Sequence, residues 1–286
     1  MLSLHTNNAA LSAQNSINRT QGSLSTSMTR LSTGYRINSS MDDAAGLQIA
    51  TRLKAQTSGM AVAMRNTQNS TSMLQTAEGA LDEVSNMLVR MKDLATQSAD
   101  ASSTSADKTA MQSEYDALGT ELNNVLNNTS FGGAKLLVGG TIASAMTFQI
   151  GSSTSEKMTV DMSASMTTLG TDVGATTANY AAPNTVGTEL TGVGTASTTI
   201  DKLSTAIASI GTVRSALGAS ANRLEHVYNN LSNISTNSKA ATGRIMDVDF
   251  ASESSKMTTS QMLLQAGTAM LKQSNSMSSM VMSLLQ

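Results

Sequence analysis

The chain has 286 residues, 135 of them Ser, Thr, Ala or Asn, with 7 aromatic residues, one proline (Pro183) and no cysteine. So little aromatic area excludes a thick isotropic core, and the lack of cysteine excludes disulfides, thiol nucleophiles and cysteine-held zinc or iron–sulfur centres. With 18 basic against 20 acidic residues there is no basic block for nucleic acid, and no apolar run approaches the ~20 residues of a membrane span.

The opening residues MLSLHTNNAALSAQ have neither a basic nor an apolar stretch of signal-peptide type, so a cleavable general-secretory signal is not expected. Ile17, Leu24 and Leu31 follow at seven-residue spacing with Met28 beside them, which predicts a thin helical seam. A second series runs Leu53, Met60, Thr67, Leu74, Leu81, Leu88, Ala95, with Ala77, Val84 and Met91 at the intervening positions. It predicts a long seam-forming helix with Thr67 as its polar member. Residues 100–107, rich in Ser and Ala, read as a connection to a third helix carrying Met111, Tyr115, Leu118, Leu122 and Val125.

Phe131-Gly132-Gly133 is a turn signal, and two short alternating runs, 148–151 and 158–162, joined by SSTSEK, predict a β-hairpin. Residues 163–199 are rich in Thr and Gly and hold only two charges, Asp172 and Glu189. They read as a small β-structured projection or as an irregular loop, in either case a short exposed middle insert. From Leu203 the three-and-four pattern resumes through Ile207, Ile210, Val213, Leu217, Leu224, Val227, Leu231 and Ile234, and again at Ala241, Ile245 and Val248. A helix of that extent is roughly 70 Å long. Leu263, Ala266, Met270, Met277, Met280 and Leu284 predict a last seam. The fold class is therefore mainly α: long antiparallel heptad-patterned helices with a small hairpin. The two terminal seams, rich in Ser, Thr and Asn, are too weak to hold isolated helices and need partners.

Chemistry is sparse. His5 and His226 have no ligand-type residue at helical spacing, and Asp42-Asp43 and Asp247/Asp249 suit helix ends, where a carboxylate complements the dipole. There is no phosphate loop, nucleophile elbow or zinc-protease motif, so neither an enzyme, a cofactor nor a metal is expected. The 20 Met sit mostly where Leu would serve as seam filler. The Asn128-Thr129-Ser130 triplet is a chance glycosylation match in a chain of this composition.

The segment LSTGYRIN at 31–38 followed by DDAAGL at 42–47 resembles the amino-terminal signature of bacterial flagellins, as does Thr6-Asn7 with Ala13-Gln14. Leu217-Gly218-Ala219, Asn222-Arg223-Leu224-Glu225, Arg244-Ile245 with Asp247, Asp249 and Phe250, and finally QAGTAML at 265–271 resemble the carboxyl-terminal signature. The resemblance covers 1–162 and 200–286.

It implies an extracellular structural subunit, exported without a cleaved signal through the flagellar type III apparatus and polymerised beneath a cap into the filament that drives motility. A hook–filament junction adaptor, which has similar termini, is the alternative. Residues 1–44 with 250–286 would form the inner filament tube, 45–162 with 200–249 the helical core, and 163–199 the variable outer segment. By the same resemblance, Ile17, Leu24, Leu31, Leu263, Met270, Met277 and Leu284 are terminal seam and polymerisation residues. Arg90, Leu94 and Glu114 match the site read by the flagellin-sensing Toll-like receptor, with Val89 where Gln is common, and the helix from Leu263 resembles the segment held by the export chaperone. The implied partners are further copies of the chain, the cap and the hook–filament junction proteins, with no nucleic acid and no membrane insertion.

Overall fold

The computed structural model describes residues 7–192 and 194–283, with side chains as far as 277. The described residues form six α-helices: α1 (Asn8–Thr33), α2 (Ala44–Ala99), α3 (Ser105–Asn128), α4 (Ser163–Thr176), α5 (Thr195–Met246) and α6 (Phe250–Ser283). None of the helices among the described residues is long and apolar enough to cross a membrane. The chain divides into two compact units, one of residues 1–57 and 236–286 and one of residues 58–235, with boundaries inside α2 and α5.

In the 58–235 unit the heptad residues of α2, α3 and α5 form one narrow core, with Leu74, Leu81, Leu88, Tyr115, Leu122, Leu203, Val213 and Leu224 buried. Thr67 is buried as well, and its hydroxyl donates to the Ala63 carbonyl one turn back at 2.8 Å, so the polar member of the stripe is satisfied within its own helix. The 100–107 connection ends in a capping box: Thr104 accepts from the Asp107 amide, and the Asp107 carboxylate accepts from the Thr104 amide. That exchange starts α3.

Two antiparallel hairpins follow. Strands β1 (Ser130–Phe131) and β2 (Ala134–Lys135) are joined by Gly132 and Gly133 at φ 59° and 86°, the two positive dihedrals that a type I′ turn requires. Strands β3 (Met146–Gln149) and β4 (Lys157–Val160) pair Met146 with Val160 and Phe148 with Met158, which turns Met146, Met158 and Val160 into the core. This is the predicted hairpin, begun two residues earlier.

The middle insert departs from the sequence expectation. Residues 163–199 are neither a β projection nor a loose loop; they contain α4, a strap of residues 177–192 and the start of α5, and α4 and the strap are both packed. Met166, Leu169 and Val173 of α4 are buried, and so is Leu190 of the strap. The strap is tied to α3 by polar groups. Gln112 donates to Asp116 at 2.8 Å and to Glu189 at 2.9 Å, and its carbonyl oxygen accepts the Leu190 amide at 2.7 Å. Asp116 also accepts from the Asn179 side chain and the Gly187 amide, while Ser98 donates to the Leu190 carbonyl. Tyr115, fully buried, donates to the Thr176 carbonyl at 2.7 Å; burial, with Glu189 and Asp116 nearby, pushes its phenol above the ordinary value and keeps it a donor. Thr and Gly content suggested irregularity because the apolar anchors are few and the bonds that hold the strap come from residues some 60 to 90 positions away.

Candidate assembly surface of the terminal helices

In the terminal unit α1 and α6 lie along one another. From α1 the seam takes Ala10, Ala13, Ile17, Thr20, Leu24, Ser27 and Leu31, and from α6 Glu253, Met257, Ser260, Leu264, Gly267, Leu271 and Ser274. Seven of these fourteen are Ala, Ser, Thr or Gly, and that permits close approach. A Cβ at Gly267 would stand 2.9 Å from Ile17 Cγ1, so the helices meet there only because residue 267 has no side chain.

Polar bonds set the register at each end. Ser27 donates to the Glu253 carboxylate at 2.6 Å, and Asn7, which also caps α1 through the Ala10 amide, donates to the Ser274 carbonyl at 3.2 Å. α1 stops at Gly34, whose left-handed φ of 76° only glycine adopts freely and whose amide bonds the Arg30 carbonyl. Beyond it the Arg36 amide donates to the Met246 carbonyl and the Val248 amide to the Gly34 carbonyl, a backbone clip that ties the chain entering α6 to the chain leaving α1.

Ile17, Leu24 and Leu31 occupy the α1 side of this seam. The expected α6 seam is corrected. Leu263, Met270 and Met277 are 56%, 67% and 53% exposed, and Leu264 and Leu271, one residue further on, face α1 instead. Two apolar stripes run side by side on α6, and periodicity alone does not choose between them. The Glu253–Ser27 bond and the glycine at 267 fix the rotation that seats the second stripe. Leu284 lies outside the described residues. The signal that could have found the seam is the series Glu253, Ser260, Gly267, Ser274, small or polar residues seven apart beside the leucines. On α1, Ser27 fits the same reasoning.

Charge gathers at the Glu253 end. Arg30 lies 3.8 Å from Glu253 and 3.6 Å from Asp42, and Lys256 is 3.6 Å from Glu253. The Ser27 hydroxyl, followed by Lys256 and Arg30, holds the Glu253 carboxyl below the ordinary glutamate value despite its burial. A depressed folded value means that this contribution is complete above the unfolded pKa of about 4.3 and is lost as pH falls through the lower folded value. In a Ser27→Ala chain the Glu253 carboxyl should titrate at higher pH, and the terminal unit should lose order at a higher pH on acidification. Carbon-detected NMR titration of Glu253 checks this; an unmoved titration would deny Ser27 the role.

Of the four expected helix-end carboxylates, Asp43 and Asp249 sit at helix starts, whereas Asp42 holds the turn before α2 and Asp247 lies just past the end of α5, bridged to Tyr35. Asp43 accepts the Gly46 amide at the start of α2, Asp249 accepts the Ala251 amide at the start of α6, and Asp42 accepts the Asn38 and Ser39 amides. Both the Ser39 and Asn38 amides lower the Asp42 carboxyl.

Arg90 and Glu114 are brought together on the surface, Nε to Oε1 at 2.8 Å, with Val89 exposed beside them. Leu94 is not part of that surface. It is 2% exposed and belongs to the core, because the α2 face that carries Leu88, Met91 and Leu94 is the one packed inward.

Comparison with known proteins agrees with this architecture. The N-terminal helical region of bacterial flagellin matches residues 4–141, and the C-terminal helical region matches residues 200–285. The chain is 35% identical to flagellin A of Vibrio anguillarum over an alignment of 379 positions that spans all of both proteins. It is 46% identical over 173 residues to polar flagellin F of Vibrio parahaemolyticus, a match covering 60% of this chain and 45% of that protein, so here the chain spans under half of its relative. A putative flagellar hook-associated protein from Vibrio parahaemolyticus shares the fold, with a TM-score of 0.58 at 18% identity over 72% of this chain and all of that one. With both terminal regions matched in order and the full length aligned, the chain belongs to the bacterial flagellin family.

Proposed function

We propose that this chain is the structural subunit of a flagellar filament and carries out no catalytic step. The observation that carries the reading is the outward stripe Leu263, Met270, Met277 on a helix whose other face is already paired with α1. Each such side chain gains about 1.5–3 kcal/mol when fully buried, and a second copy presenting the same surface repeatedly along a helical stack would bury it in every subunit. Residues 1–44 and 250–286 then form the inner tube of the filament. The subunit is extracellular in this reading, delivered by the type III export apparatus with a chaperone holding α6, and it adds beneath the cap onto the hook–filament junction.

The test is elongation of flagellin filament seeds by the purified chain, followed by electron microscopy. Long filaments support a filament subunit; short rings or no growth beside an active control flagellin would reverse it. A hook–filament adaptor shares the fold, but the likeness to the hook-associated protein stands at 18% identity, whereas full-length identity runs to a flagellin.

The Arg90–Glu114 pair with Val89 is proposed as the surface met by the flagellin-sensing Toll-like receptor, Leu94 acting only as support beneath it. The pair is solvent-exposed, so Arg90→Ala is expected to change stability by less than about 1 kcal/mol. A receptor-reporter response that falls at least fivefold with unchanged melting places the effect at the contact; an unaltered response removes Arg90 from it.

A further inference from the structure

We propose that the outward face of α6 is an oxidation-sensitive assembly surface, on which conversion of Met262, Met270 and Met277 to the sulfoxide by a peroxide stops this chain from joining a polymer. The proposal rests on the filament reading above.

The chain has 20 Met with no Cys and no Trp, so the thioether is its principal target for two-electron oxidation. The methionines separate sharply by place. Eight are buried, Met91 and Met158 among them, and all eight lie within residues 58–235. Five are exposed among the described residues, and all five lie in the terminal unit: Met28, Met41 and the three on α6. Met41, 94% exposed, sits in the turn before α2, away from either helix face. Oxidant therefore reaches the terminal unit first while the core methionines are shielded.

The chemistry is an oxygen transfer. The thioether sulfur attacks one oxygen of hydrogen peroxide, an S–O bond forms as the O–O bond breaks, and the departing hydroxide takes the proton of the transferred hydroxyl to leave as water. Sulfur gives up the two electrons that peroxide gains. The product is a polar, chiral side chain in place of a flexible apolar one. On a free monomer that change meets only water. Against a neighbouring copy, the S–O dipole must enter a contact built for apolar groups and lose its hydration without a matching donor. The seam toward α1 is spared, since Leu264, Gly267 and Leu271 carry no oxidisable sulfur and its one described methionine on α6, Met257, is half-buried. The modification therefore acts on joining and leaves the helix pair itself intact.

The experiment uses the full chain and hydrogen peroxide. Monomer is treated, sulfoxides are mapped by peptide mass spectrometry, and extension of unoxidised seeds is timed by light scattering. Expected are sulfoxides at Met262, Met270 and Met277 before Met91 or Met158, elongation slowed at least tenfold, and recovery after the two methionine sulfoxide reductases that act on the opposite epimers. In a Met262→Leu/Met270→Leu/Met277→Leu chain, the elongation rate after peroxide should stay within about twofold of that same chain's untreated rate, although Met28 and Met41 are still oxidised. Circular dichroism of each sample confirms that the core stays folded. Full conversion at the three sites with unchanged elongation overturns the proposal, and so does a triple-leucine chain that peroxide inactivates as fully as the parent. If untreated chain fails to extend seeds, the filament reading falls and takes this one with it; if untreated and oxidised chains extend alike, only the oxidation proposal falls.

Discussion

A chain cut before residue 263 is expected to extend no seeds at all, while the melting of residues 58–235 moves by no more than about 1 kcal/mol. The loss has two parts. Removing 263–286 takes Leu264, Gly267, Leu271 and Ser274 from the α1 seam, which leaves Ile17 without the close approach of Gly267 and Asn7 without its bond to Ser274. An unsupported helix this rich in Ser, Thr and Asn does not hold in water. It also removes the outward stripe Leu263, Met270, Met277, which is the surface assigned to the next copy. The core of the other unit is built from residues between Leu74 and Leu224 and includes nothing from α6, so its transition is insulated from the cut.

Point substitutions separate the two parts. Leu263→Ser with Met270→Ser should leave the α1–α6 pair formed yet raise the monomer concentration needed for growth more than tenfold, since two lost burials of ~1.5 kcal/mol or more exceed the 1.4 kcal/mol that a factor of ten requires. Leu264→Ser with Leu271→Ser should instead unpair the helices, read as faster amide hydrogen exchange in α1. Sedimentation against seeded growth measures the first effect. Equal growth by the cut chain and the full chain would remove α6 from assembly.

Much of this architecture was legible because heptad spacing is a local, repeated signal. Leu74, Leu81, Leu88 and the Leu203–Leu224 series announced their buried face without reference to anything distant, and Gly132-Gly133 announced its turn. The α6 seam was legible only to within one residue. Leu263 and Leu264 are both apolar, as are Met270 and Leu271, and the choice between them depends on a bond from Ser27 more than 220 positions away. Leu94 misled for a related reason: a residue matching a recognition pattern carries no mark of which way its helix is turned. The strap was hidden because its anchors are polar and remote. Gln112, Asp116 and Tyr115 sit on α3 with nothing in their spacing to show that residues 176–190 are their partners.

Leu190 tests that last point most directly. It is fully buried, its amide bonds the Gln112 carbonyl oxygen and its carbonyl accepts from Ser98, so the side chain closes the core beneath a strap already held in place. A strap fixed in this way cannot collapse into the space that a truncation leaves. Leu190→Ala is therefore expected to cost about 3 kcal/mol, near the middle of the range for buried leucines, and to lower the melting temperature of this unit by about 10 °C. Val186 is four residues earlier in the same strap and 86% exposed, and Val186→Ala should change stability by less than about 0.5 kcal/mol. Tyr115→Phe, which leaves the buried Thr176 carbonyl without its donor, should fall between them at about 1–2 kcal/mol. Thermal unfolding followed by circular dichroism and calorimetry ranks the three. A mobile outer segment would give the same small change at 186 and 190, and that result would return residues 177–192 to the exposed loop that their composition suggested.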